Sequence, residues 1–274
     1  MSAIYCVFGH PVAHSRSPEI HYAFAAQFDM PLRYERRLAP LDGFAGSVAE
    51  FIAAGGRGAN VTVPFKQEAL ALAEVVAPRA RRAGAVNTLS VDDQGRLHGD
   101  TTDGVGLVRD LERLGARLEG ARIAVLGAGG AVRGVLEPLL ERRPQALFVA
   151  NRTAERARQL AERFNGLGPI AGGAFDQLEG RFDLVINGTS ASLGAELPPL
   201  PEGMFAGEAL AYDMVYAAQP TVFMRWAEQR GACSHDGLGM LVEQAAESFF
   251  IWHGLQPDTG AVLAGMRGDT DAQG

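Results

Sequence analysis

From Ala121 to Gly134 the chain reads as a short apolar strand, a glycine turn and the start of a helix. Ala121-Arg-Ile-Ala-Val-Leu runs into Gly127-Ala128-Gly129-Gly130-Ala131, and apolar periodicity then continues over residues 132–140. Glycines let the backbone turn tightly and come close to an anion. The free N–H groups of the helix N-terminus then favour a pyrophosphate. The third position of the usual G-x-G-x-x-G is Val132 here, and its bulk implies altered helix–strand packing. The strand before and the helix after set the motif apart from a glycine-rich turn with no ligand.

The next apolar run, 147–150, ends in Asn151-Arg152-Thr153, with Arg156 one turn on. A site for NAD would carry an acid there to meet the ribose 2′-hydroxyl. A cation suits a 2′-phosphate, so NADP is favoured over NAD. The competing reading makes Arg152 and Arg156 solvated charges on a helix face.

The rest of the chain alternates in the same manner. Strands are expected at residues 4–8, 32–38, 58–63, 123–126, 147–150, 184–186 and 210–214. Pro64 ends the third of these. Residues 85–91 and 96–98 flank Asp92-Asp93-Gln94-Gly95 as a hairpin. Helices are expected from Ser17-Pro18, with the serine as cap, and across 44–52, 105–114, 132–140, 153–164, 221–230, 240–252 and 258–266. The small polar tail, 267–274, is expected to fray. This alternation implies parallel strands with crossover helices in two α/β lobes, about 1–102 and 103–238. The C-terminal helices could join either lobe.

Composition narrows the function classes. A chain of 274 residues with 47% hydrophobic and 21% charged residues can bury a core without staples. The net charge of −7 argues against a nucleic-acid groove. No apolar run approaches ~18 residues, so no membrane span is expected, and the N-terminus does not read as a signal peptide. Cys6 and Cys233 lie in or beside apolar runs and read as reduced core thiols of a cytoplasmic protein; a disulfide is the less favoured alternative. His10 and His14 are four apart, but Pro11 lies between them and no third ligand is suitably spaced, so no metal is expected. Trp226 and Trp252 read as core. Of 25 basic residues, 24 are arginine, and the one lysine is Lys66 in Val-Thr-Val-Pro-Phe-Lys66. Lysine can exchange its proton where arginine cannot. Chance with a coding bias against lysine is the rival explanation.

Several segments stand together: Ser15-Arg-Ser17-Pro18, Asn60-Val-Thr62-Val-Pro-Phe-Lys66, Ala85-Val-Asn87-Thr88, Asp100-Thr-Thr-Asp103-Gly-Val-Gly106 and Gly237-Leu-Gly-Met-Leu-Val-Glu-Gln244. With the glycine loop and Asn151-Arg152-Thr153 between them, this ordered set closely resembles the shikimate dehydrogenase family over nearly the whole chain. The resemblance implies an N-terminal substrate-binding α/β domain and a Rossmann-like NADP-binding domain, the C-terminal helices returning to the first lobe. The implied domains are 1–102 plus 239–274, and 103–238. It implies reversible reduction of 3-dehydroshikimate to shikimate with NADPH, without metal, in a cleft between lobes. By the same resemblance, Lys66 and Asp103 are the catalytic pair. Ser15, Ser17, Asn60, Thr62, Asn87, Tyr216 and Gln244 meet the substrate. Gly127, Ala128, Gly129, Gly130, Ala131, Asn151, Arg152, Thr153, Arg156, Met214 and Gly237 meet the cofactor.

The residue types suit that chemistry. Hydride addition to a ketone leaves an alkoxide that needs a proton, and an ammonium can stabilise and protonate it. A neighbouring carboxylate favours and orients the charged amine. A polyol carboxylate is well hosted by Ser, Thr, Asn and Gln. Taken one at a time, Ser17 or Asp103 could be only a helix cap, and Asn60 or Thr62 a strand-edge residue. Two rival functions stand beside the first. One is a quinate/shikimate paralogue with relaxed cofactor use, which Asn151-Arg152-Thr153 argues against. The other is a non-catalytic NADP(H)-sensing module, expected to lack Lys66 or Asp103. The partner expected is a small molecule, with neither nucleic acid nor membrane; the assembly is open between monomer and homodimer.

Overall fold

The computed structural model describes residues 3–189 and 196–271. In chain order the elements of the first half are β1 Ile4–Gly9, α1 Ser17–Ala26, β2 Arg33–Leu38, α2 Phe44–Ala53, β3 Gly56–Val61, α3 Lys66–Leu72, β4 Val75–Val76, α4 Pro78–Ala83, β5 Thr88–Val91, β6 Leu97–Asp100 and α5 Asp103–Arg113. Those of the second half are β7 Arg122–Leu126, α6 Gly130–Glu141, β8 Ala146–Ala150, α7 Ala154–Arg163, β9 Ile170–Gly173, β10 Phe182–Asn187, β11 Phe205–Asp213, α8 Val222–Glu228, β12 Cys233–His235, α9 Leu238–His253 and α10 Thr259–Asp271. They fall into two compact units, Met1–Gly106 with Val242–Met266, and Leu107–Leu241 with Arg267–Gly274. Among the described residues no helix is long and apolar enough to cross a membrane.

The first unit holds a sheet in the order β2-β1-β3-β5-β6-β4. β1 is flanked in parallel by β2 and β3, its apolar Tyr5, Cys6, Val7 and Phe8 all buried. The β5–β6 hairpin enters antiparallel to β3, so this sheet is mixed. Its turn is an Asx turn: Asp92 Oδ1 accepts from the N–H groups of Gln94 and Arg96, both at 2.9 Å. One of the two edge strands, β2, carries Arg33, Glu35 and Arg37 on one face. Glu35 accepts from both arginines, at 2.7 and 3.0 Å, and its carboxyl is held below the usual range. Ser248 and Trp252 of α9 bond into this unit, the latter through Nε1 to the Leu89 carbonyl at 3.0 Å.

The second unit holds a wholly parallel sheet in the order β9-β8-β7-β10-β11-β12. Counted from β7, this is the 3-2-1-4-5-6 arrangement of doubly wound dinucleotide-binding sheets. The strand order reverses between β7 and β10, and such sheets take ligands beyond the carboxyl ends of the strands at that point. Ile123, Val125, Val132, Val135 and Leu136 make the core between β7 and α6.

Several expectations need correction. Ser17 is the first helical residue rather than the cap. The Arg16 carbonyl already accepts from Ile20 N–H at 3.2 Å, which starts α1 one residue earlier. Both thiols are free, and Cys6 is buried, but Cys233 is exposed because β12 is an edge strand. The chain from 267 does not fray at once, since α10 runs to Asp271; residues 272–274 lie outside the described ones. Trp226 is core, whereas Trp252 is half-buried. The short elements α3, β4, α4, β9 and β12 were not anticipated.

Candidate active site

In the first unit, Lys66 opens α3 directly after Pro64-Phe65, and Asp103 opens α5. A carboxylate at a helix N-terminus is favoured by the helix dipole. The two residues are 37 positions apart in sequence, and Lys66 Nζ donates to Asp103 Oδ2 at 2.5 Å. Their side chains are 14% and 8% exposed, so the pair is shielded yet open to a small reactant. The other Asp103 oxygen, Oδ1, accepts from Asn87 Nδ2 at 2.9 Å.

Asn87 is the hub of this cluster. Its Oδ1 accepts from Thr102 N–H at 2.8 Å and Thr88 Oγ1 at 2.9 Å, while Nδ2 also faces Gln244 Oε1 at 3.3 Å. Asn60 lies below, 5% exposed. Its Oδ1 accepts from the Tyr34 hydroxyl at 2.7 Å and meets His21 Nε2 at 3.2 Å; its Nδ2 donates to Ser248 Oγ at 2.9 Å. Ser15 and Ser17 share a hydroxyl contact at 3.1 Å at the start of α1. Thr62 continues β3, its N–H donating to the Phe8 carbonyl at 2.9 Å. Lys66, Asp103, Asn87 and Gln244 therefore form one bonded cluster, with Asn60 joined to it from beneath through Thr88 and Ser248. His10 spends Nδ1 on the Ala39 carbonyl at 2.9 Å.

Five members of this network were not singled out from sequence: His21, Tyr34, Thr88, Thr102 and Ser248. Thr88 and Thr102 stood inside quoted motifs. Ser248 is one helical turn beyond Gln244, to whose carbonyl it donates at 3.1 Å.

In the second unit the glycine loop lies at the carboxyl end of β7. Gly127 has φ +107°, and its N–H donates to the Ala150 carbonyl at 2.7 Å. Neither α6, preceded by Gly129, nor α7, preceded by Thr153, has a side-chain cap. A helix N-terminus without a side-chain cap favours an anion. The departure at Val132 has its counterpart at Gly188: a Cβ there would come within 2.4 Å of Val132 Cγ2. The room that a third glycine normally provides on the helix is provided here by the strand end.

Met214, Tyr216 and Gly237 follow β11 and β12. Gly237 N–H donates to the Val215 carbonyl at 3.1 Å, and Tyr216, His235 and Asp236 line a cavity of about 280 Å³. Asp213, buried at the end of β11, accepts from Thr221 Oγ1 at 2.6 Å, Val215 N–H at 3.1 Å and Asn187 Nδ2 at 3.2 Å. This cluster, unread in the sequence, fixes the start of the 214–216 segment. Tyr216 belongs to this second unit, and the other substrate-side candidates to the first.

Comparison with known proteins agrees along the chain. Residues 7–89 match the family model described as "Shikimate dehydrogenase substrate binding domain". Residues 110–194 match "Shikimate / quinate 5-dehydrogenase", and 237–264 match "Shikimate 5'-dehydrogenase C-terminal domain". A Chromohalobacter salexigens protein named shikimate dehydrogenase (NADP(+)) is 60% identical over 263 residues, covering 96% of this chain and 97% of that one. The chain belongs to the shikimate dehydrogenase family. Among solved structures, an Ael1 enzyme from Pseudomonas putida superimposes with a TM-score of 0.89 at 44% identity, over 96% of this chain and 98% of the other. The Thermus thermophilus shikimate 5-dehydrogenase, solved with NADP(H) and shikimate, gives 0.86 at 37% identity, over 97% and 99%.

Proposed function

We propose that this chain is an NADP-dependent shikimate dehydrogenase, reducing 3-dehydroshikimate reversibly to shikimate on the route to aromatic amino acids. The single observation that carries the chemistry is the 2.5 Å contact between Lys66 and Asp103 inside an amide- and hydroxyl-lined cluster. NADPH, when bound, supplies the hydride. Lys66 Nζ stabilises the oxygen of the reacting carbonyl as negative charge develops and delivers the proton that makes it a hydroxyl. Asp103 holds the ammonium in place, and Asn87 holds Asp103. Ser15, Ser17, Thr62, Asn87 and Gln244 host the hydroxyls and carboxylate, with Asn60 supporting from below. Tyr216 is a further substrate contact.

The cofactor candidates fit a phosphorylated dinucleotide. Gly127, Ala128 and Gly129 lead into an uncapped helix that opens with Gly130 and Ala131, and β8 is followed by Asn151, Arg152 and Thr153 where NAD would call for an acid. Arg156 adds a second cation, and Met214 and Gly237 lie on the nicotinamide side. Dependence on NADPH and two free thiols support a cytoplasmic setting.

The test follows NADPH absorbance with 3-dehydroshikimate, beside NADH and beside quinate with each oxidised cofactor. Turnover is expected with NADPH and the shikimate pair. Lys66→Ala should lose at least ~10²-fold in kcat, the usual scale for removing a general acid, while still binding NADPH. Near-normal kcat in that variant would remove Lys66 from the reaction.

A further inference from the structure

Arg133, the fourth residue of α6, lies between two buried neighbours, Val132 and Gly134. Its Nε–H is buried and has no hydrogen-bond partner. Burial, then Arg163 and then Arg156 push its guanidinium below the ordinary arginine range. Arg156 and Arg163 belong to α7, so charges from that helix act on Arg133 of α6, and among the described residues none of the three forms a salt bridge with a carboxylate. Other arginines of the chain are treated differently: Arg79 forks onto Asp100, and Arg113 onto Asp110. A half-buried guanidinium with an unused donor and like-charged neighbours is stabilised by a compact, multiply charged anion. Two uncapped helix N-termini, those of α6 and α7, favour the same charge.

We propose that Arg133 is a specificity-determining residue for the phosphorylated cofactor, donating to its 2′-phosphate from α6 while Arg156 does so from α7. The inference rests on the reading above that the dinucleotide lies along the glycine loop with its adenosine ribose at the end of β8. Val132 and Arg133 then divide the work of the first turn of α6. The valine packs against Gly188, and the arginine turns toward α7 and the anion.

The experiment compares two probes that differ only in the 2′-phosphate, adenosine 2′,5′-bisphosphate and adenosine 5′-monophosphate, by titration calorimetry on the full chain. Arg133→Gln should cut the preference for the bisphosphate at least tenfold, chiefly by weakening that probe. Arg133→Lys, which keeps the charge but not the fork, should restore part of it and serves where the glutamine variant folds poorly. Arg156→Gln is the reference for the pocket. An unchanged preference in Arg133→Gln alongside a lost one in Arg156→Gln overturns the role of Arg133 and leaves the pocket standing. Equal weakening of both probes assigns Arg133 to packing or to the pyrophosphate and likewise overturns it. A wild-type protein with no preference for the bisphosphate overturns the pocket reading and this inference with it.

Discussion

Asn87 has one carboxamide and uses both ends of it. Oδ1 serves Thr102 and Thr88, and Nδ2 serves Asp103 and Gln244, all in a buried setting. Truncation to alanine removes one bond from each of these partners and leaves the buried Thr102 N–H without its acceptor, and a buried unsatisfied group costs on the order of 1–3 kcal/mol. Asn87→Ala is therefore expected to lower the urea midpoint with an unchanged m-value, and to lower kcat because Asp103 loses one of its anchors. A variant as stable as the wild type would show that water replaces the amide. At this scale the sequence revealed the chemical types but not their wiring. Lys66 stood out as a solitary lysine and Asn87 as part of a motif. Asn60 read equally well as a ligand or a strand edge. Only the fold shows its amide turned to Tyr34, His21 and Ser248, bonds that span up to 188 residues and have no local signature.

Periodic elements were the legible ones. β1, β7, α6 and β8 have continuous apolar runs or strong helical spacing, and they appeared where expected. β9 is Ile-Ala-Gly-Gly, β12 has three residues and β4 two, too short or too glycine-rich for any period to register. The hairpin betrayed itself through Asp92 and Gly95 even though it breaks the parallel rule. The exchange of space between α6 and the end of β10 gives a prediction of its own. Gly188→Ala should force apart Val132 and Met214, whose Sδ would be 3.0 Å from the new Cβ, at a cost of about 1–3 kcal/mol. Val132→Ala should be mildly destabilising alone yet recover much of that loss in the double variant. A thermal-denaturation cycle reads the coupling, and strictly additive shifts would disprove the exchange.

For the whole molecule, one buried histidine adds to the dependence of stability on acid. His21 is fully buried, stacked on Tyr34 at 4.5 Å, and burial pushes its pKa down to about 3 from 6.5, with His253 adding to the effect. The unfolded chain binds more protons than the folded one between those two values, so stability rises with pH across that window. The contribution is fully present above about pH 6.5 and is lost as pH falls toward 3, by up to about 1.4 kcal/mol per pH unit. His235 and His253 are pushed the same way by burial. Urea midpoints from pH 4 to about 7.5 should show the slope, and His21→Phe should flatten it; a slope that survives in the variant would assign it to the carboxylates instead. The edge strand β2 of the first sheet has a consequence at this scale too. With Arg33, Glu35 and Arg37 tied together along β2, its rim is hydrated and ionic. A nascent or partly opened copy that extended the ladder there would have to strip water from those charges, which weighs against strand-to-strand fibre growth from that rim in crowded solution.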